Sequence, residues 1–226
     1  MTARLERTAN VVVILAAVSM AVVVVHREVR RRSAAEPDTV PKYVSDWKSL
    51  VVNGARSGPP DAAVTVVEFA DLECPFCRLY EERVMRPLRT RSDNKVEVVY
   101  MHYPLTPHPH ALSAARAAEC AAVQGRFTEF VDVAFRSQDS IAASPWLDWA
   151  KKSGVRDARA FKACIQGSEP MPRIDSGVAI ARRIGVRGTP AIMVNGWLYP
   201  APPEDTTLSR AIAEILRGRE PFGKGR

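Results

Sequence analysis

Histidine and cysteine are scarce in this chain, four of each in 226 residues. One Cys-x-x-Cys stands at Cys74 and Cys77, with no second to complement it. A closed structural zinc site takes four ligands, usually from two such pairs, so a metal site is short of donors. Cys120 and Cys164 stand apart, and His102, His108 and His110 fall in or beside a proline-rich loop that reads as solvent-exposed. No internal repeat is visible, so nothing points to a solenoid. Surplus charge is also missing from the body of the chain. The formal net charge is +7, but residues 1–32 carry +4 of it, which leaves +3 for residues 33–226 and no expectation of a nucleic-acid partner.

What the N-terminus does have is an apolar run from Val11 to Val25, broken only by Ser19, with Arg4 and Arg7 ahead and Arg27, Arg30, Arg31 and Arg32 behind. Fifteen helical residues rise about 22 Å, short of the roughly 30 Å hydrocarbon core. Such shortness suits a signal peptide. The small-residue site Ser33-Ala34-Ala35, however, is separated from the run by arginines, where a cleavage region is neutral. The expectation is an uncleaved transmembrane or signal-anchor helix meeting membrane lipid through residues 9–26. Two arginines before the segment and four after it place the remainder in the cytoplasm by the positive-inside rule. The cysteine chemistry points outside, and the expectation follows the chemistry.

The pattern then divides into segments. Residues 1–32 are a cytoplasmic stub and anchor; residues 33–60, punctuated by Pro37, Pro41, Pro59 and Pro60, read as linker and N-terminal flap. Residues 61–108 open with a buried strand at 64–69, a helix from Pro75 to Leu88 and a second strand from Val96 to Tyr103. Residues 109–172 are a helical block, with Ser144 expected to cap one helix and Asp157 to start another. Residues 173–218 carry a helix, a short strand at 191–194, an Asn195-Gly196 turn, a brief strand and a last helix. Residues 219–226 read as a frayed basic tail. The fold class is α/β, a central mixed sheet flanked by helices with one helical insertion.

On a helix, positions three apart share a face, so Cys74 and Cys77 can reach disulfide distance. Pro75 suits the first helical position, where free N–H groups and the positive dipole end favour a thiolate on Cys74. Cys74 is then the exposed nucleophile and Cys77 the resolving thiol. Glu68, six residues before Cys74 on a strand of Val66, Val67 and Phe69, is either a solvated edge acid or a buried one. If buried, it has a raised pKa and can exchange a proton with the resolving cysteine.

The stretch from Glu68 through Cys77, the helical block and then "GVRGTPAIMVNG" together resemble the thioredoxin fold, specifically the DsbA-like thiol-disulfide oxidoreductases, over about residues 60–218. The resemblance implies a cis bond between Thr189 and Pro190, across from the cysteines, with the Thr189 backbone receiving a substrate strand and Pro190 shielding the thiols from metals. It also favours the proton-relay role for Glu68. By its own chemistry Pro190 is equally a trans turn proline. No cofactor is implied.

This chain departs from the best-known oxidases of that family, which place histidine where Phe76 stands. An apolar ring neither donates a hydrogen bond nor carries charge, so a less acidic Cys74 is expected, and Asp71 and Glu73 are a further drag on the thiolate. Phe76 can instead contact unfolded substrates. Cys120 and Cys164, 44 positions apart, are either two buried free thiols or a disulfide that staples the helical block; behind a membrane segment, pairing is expected. The reading is a membrane-anchored oxidoreductase in a bacterial periplasm or cell envelope. It introduces disulfides into reduced or unfolded secreted proteins and is recycled by a quinone-linked membrane reoxidase. The alternatives are a reductase or isomerase fed by a membrane thiol donor, and a non-catalytic chaperone or metal-handling module.

Overall fold

The protein, seen in a computed structural model, is described over residues 17–27, 40–91 and 95–222. The chain divides into two units, residues 1–39 and 40–226. The described part of the first is helix α1, residues 17–27. Among the described residues no helix is long and apolar enough to cross a membrane. The expected anchor is therefore not supported as a spanning helix, and its first part, residues 9–16, lies outside the described residues.

The second unit is built on a six-stranded mixed sheet of order β1-β6-β5-β3-β4-β2: β1 Lys42–Tyr43, β2 Ala55–Ser57, β3 Val64–Ala70, β4 Val96–His102, β5 Ala191–Val194 and β6 Trp197–Leu198. Only β3 and β4 are parallel, in register from Val64 opposite Val96 to Ala70 opposite His102. Both are buried along their full length, as a central parallel pair covered on both faces demands.

The segment read as linker and flap is from residue 40 part of the sheet. It supplies both edge strands, β1 on β6 and β2 on β4, and a short helix α2, Trp47–Leu50. These strands are two and three residues long, too short for an alternating pattern to announce them. The Asn195-Gly196 turn between β5 and β6 has positive φ at both positions, 44° and 90°, as a two-residue hairpin turn requires.

Helices α3 (Pro75–Tyr80) and α4 (Arg86–Arg91) are joined by a π-helical turn, Glu81–Met85, so the single helix expected from Pro75 to Leu88 is longer and carries a bulge. On the α3 face the strands present Val64, Val66, Val98, Ile192 and Val194 to Tyr80, Leu88 and helix α10, Asp205–Leu216. On the other face Val67, Phe69, Val99, Met101 and Met193 pack on α2 and α9, Pro172–Ile184. Here Gly177 brings α9 against β4: a Cβ on it would lie 2.3 Å from the His102 carbonyl oxygen.

The helical block comprises α5 (Ala111–Ala122), α6 (Phe127–Arg136), a 3-10 turn at Gln138–Ala143, α7 (Trp146–Lys152) and α8 (Ala158–Gln166). Its core of Phe130, Phe135, Trp149 and Phe161 is continuous with Cys74 and Cys77. Asp157 caps α8 by accepting from the Ala160 amide at 2.8 Å. Ser144 does not cap α7: it ends the preceding 3-10 turn with φ 49°, and α7 starts two residues later. Cys120 on α5 and Cys164 on α8 are joined by a disulfide, Cα to Cα 5.8 Å. The tail is not frayed at its start. Arg219 pairs with Glu214, and the Phe222 ring packs 5.4 Å from those of Trp197 and Tyr199.

Candidate active site

Strand β3 ends at Ala70, and the turn from Asp71 delivers Cys74 to the N-cap of α3 with Pro75 at the first helical position. The turn is closed by the Cys74 amide donating to the Asp71 carbonyl at 3.1 Å. Cys74 and Cys77 are unbridged. Cys74 is not the exposed thiol expected: it keeps 3% of its surface and Cys77 none. The loop bearing the Thr189–Pro190 bond, which is cis, covers it, and the Cys74 thiol donates to the Thr189 carbonyl at 3.3 Å. Pro190 is buried there. The exposed part of the motif is Phe76, 72% open, with Leu79 one turn on.

The electrostatics separate the two cysteines. Cys74 is pulled down to about 5, chiefly by the hydrogen bond from the Cys77 thiol; burial opposes this, and the Thr189 side chain and the amides of Cys77 and Phe76 add to it. The same burial and the nearby Cys74 push Cys77 well above the ordinary thiol range. Cys74 is thus acidic without a histidine at position 76, because donors inside the turn lower it.

Glu68 is fully inside, 1% exposed on β3, and its Oε1 has no hydrogen-bond partner. Burial first, then the charge of Glu81, raise it to about 8, with Arg89 pulling the other way. Glu81, also buried, is bonded by Arg89. Glu68 is therefore the buried acid of the two possibilities, and its charge helps to raise the pKa of Cys77.

Two residues, Gln138 and His108, went unrecognised in the sequence as parts of this site, and Asp71 reads there only as a drag on the thiolate. Gln138, buried in the 3-10 turn, donates from Nε2 to the carbonyls of Leu72 (2.8 Å) and Cys74 (3.1 Å) and so holds the turn to the helical block. The buried carboxylate of Asp71 accepts from the amides of Glu73 (2.7 Å) and Leu105 (2.8 Å) and bonds His108 Nδ1 at 2.6 Å. His108 is thus not a free loop residue. Nor is His102, which is buried on β4 and bonds Glu119 at 3.0 Å. The nearest signal for such roles is the cluster of histidines between prolines at 104–110, which carries no periodicity.

The family model described as Thioredoxin matches residues 51–214. Among solved structures, a thioredoxin-like oxidoreductase from Silicibacter pomeroyi is 28% identical with TM-score 0.66, covering 77% of this chain and 98% of that one. BdbD from Bacillus subtilis superposes with TM-score 0.69 at 19% identity, over 80% of this chain and all of that one. Wolbachia pipientis alpha-DsbA1 does so with TM-score 0.64 at 21% identity, over 74% of this chain and 92% of that one. Curated relatives include proteins named Na(+)/H(+) antiporter NhaA 3 of Salinispora tropica and NhaA of Herminiimonas arsenicoxydans. They are 36% and 30% identical over 173 and 161 residues, 73% and 71% of this chain. The chain spans about a quarter of their length, 26% and 25%. The matched family model encloses Cys74, Cys77 and Pro190 in one body with the fold of the DsbA proteins, and the chain belongs to the thioredoxin family.

Proposed function

We propose that the protein is an extracytoplasmic thiol-disulfide oxidoreductase that introduces disulfides into reduced secreted proteins. The observation that carries this reading is the pairing of a Cys74 held at about 5 with a Cys77 held well above the thiol range. A thiolate stabilised in the reduced pair makes the disulfide easier to reduce, hence more oxidising.

The exchange runs in two steps. A substrate thiolate attacks Sγ of Cys74 in the oxidised pair; the Cys74–Cys77 bond breaks, a mixed disulfide forms, and Cys77 leaves as a thiolate. Cys77 takes a proton, which Glu68, neutral below about pH 8, can supply. A second substrate thiolate then attacks the substrate sulfur of the mixed disulfide and releases Cys74 as a thiolate. The substrate has lost two electrons and the pair has gained them. Phe76 offers the exposed apolar contact for an unfolded chain, and the Thr189 backbone lies beside the sulfur where a substrate strand would pair.

The Cys120–Cys164 disulfide supports an oxidising compartment. Attachment to a membrane through residues 9–26 and reoxidation by a quinone-linked membrane partner complete the reading. Recovery of the full chain in the soluble fraction of cells would remove the attachment.

The deciding experiment equilibrates the pair in glutathione buffers and reads it by alkylation and mass. A potential near or above about −180 mV is expected. One near about −270 mV would make the protein a reductase, and failure to equilibrate would leave a binding module.

A further inference from the structure

The Cys-Pro-Phe-Cys motif has no cation of its own, yet the turn that leads into it carries two acidic side chains, Asp71 and Glu73. The structure answers this with the loop after β4. Its Leu105 amide and His108 Nδ1 both bond Asp71 Oδ2, and the His110 amide donates to Glu73 Oε2 at 2.6 Å. Asp71 reaches both cysteines through its backbone: its carbonyl accepts from the Cys74 amide, and its own amide donates to Cys77 Sγ at 3.4 Å. The Asp71 side chain has no exposed surface, whereas that of His108 keeps 23%. With Nδ1 committed to the carboxylate, the imidazole is fixed in orientation, and protonation of its second nitrogen can change the charge next to the turn.

We propose that His108, held by the buried carboxylate of Asp71, is the positioning residue whose positive charge offsets Asp71 and Glu73 and keeps Cys74 a thiolate, the part that no residue between the two cysteines can play. The groups acting on it are Asp71 and Glu73 of the turn and Cys74 at the start of α3. Burial is the largest single influence and lowers His108's affinity for its proton, but the hydrogen bond to Asp71 and the charges of Asp71, Cys74 and Glu73 together outweigh it, and the net direction is upward. The cation is thus fully present below the ordinary histidine range and is lost as pH rises through the raised value. Above that point Asp71 keeps only neutral donors, the amides of Glu73 and Leu105 and the imidazole N–H.

The proposal rests on Cys74 as the exchanging sulfur, and the test separates the two. The full chain is compared with His108→Asn, whose amide still donates to Asp71, and with His108→Lys, which keeps the charge. The readouts are thiolate absorbance near 240 nm against pH and the glutathione redox equilibrium. For His108→Asn the apparent pKa of Cys74 should rise by about one unit, a tenfold loss of thiolate stabilisation, and the potential at pH 7 should fall by about 30 mV. His108→Lys should recover at least half of both. The gap between wild type and His108→Asn should narrow as pH rises through the raised value and His108 loses its proton. Unchanged values in His108→Asn would overturn the proposal, as would equal losses in the two variants, which mark loop packing alone. A wild-type pair that never equilibrates with glutathione would instead sink the redox reading itself.

Discussion

Cys74 Sγ lies 3.3 Å from the carbonyl oxygen of Thr189, the residue whose bond to Pro190 is cis. A thiol can donate to that oxygen and a thiolate cannot, so this contact by itself favours the protonated sulfur. The low pKa comes chiefly from the Cys77 thiol, with the amides of Phe76 and Cys77 at the start of α3 adding to it.

The Cys77 thiol is the largest of these, and burial keeps it protonated and able to donate. Cys77→Ala should therefore raise Cys74 from about 5 by more than one unit, seen as an alkylation-rate profile displaced to higher pH. The same variant should accumulate a stable mixed disulfide with glutathione, because no resolving thiol remains. A profile still centred near 5 would assign the acidity to the helix terminus alone.

Glu68 makes a prediction about stability. Its pKa stands at about 8 in the folded protein against 4.5 ordinarily, so the folded state keeps a proton that the unfolded state releases. Stability attributable to this group is present at low pH and is lost as pH rises through about 8. Glu68→Gln should leave urea stability little changed at pH 4.5 and raise it by a few kcal/mol at pH 9, at roughly 1.4 kcal/mol per pKa unit before relaxation. Destabilisation at pH 9 would show that Glu68 is charged and paired there.

These two groups show where the sequence was informative. The strands at 64–69 and 191–194, the helix start at Pro75 and the Asn195-Gly196 turn follow from local pattern, because burial, capping and turn chemistry each leave a short-range signature. Glu68 left two possibilities open, since a carboxylate among valines on a strand reads the same whether the strand is at an edge or at the centre. The edge strands from residues 42 and 55 and the clamp of Asp71, His108 and Gln138 depend on contacts between distant segments. No period or motif encodes those contacts.

The Cys120–Cys164 bridge ties α5 to α8 across 44 positions. In the chain-entropy model a loop of this size is worth about 4 kcal/mol. Cys120→Ala with Cys164→Ala should lower the urea midpoint correspondingly and expose the helical block first, read by hydrogen exchange in α7 and α8. The potential of the Cys74 and Cys77 pair should stay put, since the bridge touches neither the turn nor the loop at Thr189. A shifted potential would mean that the bridge reaches the site through Gln138.

Phe76 stands 72% exposed at the mouth of the site, with Leu79 on the same helical face. Leaving an aromatic ring in water forgoes apolar burial worth about 1.5–3 kcal/mol when complete. A partial recovery on docking of an unfolded chain is about 1 kcal/mol, or a five- to tenfold change in affinity. Phe76→Ser should accordingly raise KM for oxidation of a reduced, unfolded protein by about that factor while leaving kcat near its original value. Glutathione is too small to cover the ring, so its equilibrium with the pair should barely move. If both substrates are affected alike, Phe76 acts on the sulfur rather than on the bound chain; if neither is, protein substrates dock elsewhere.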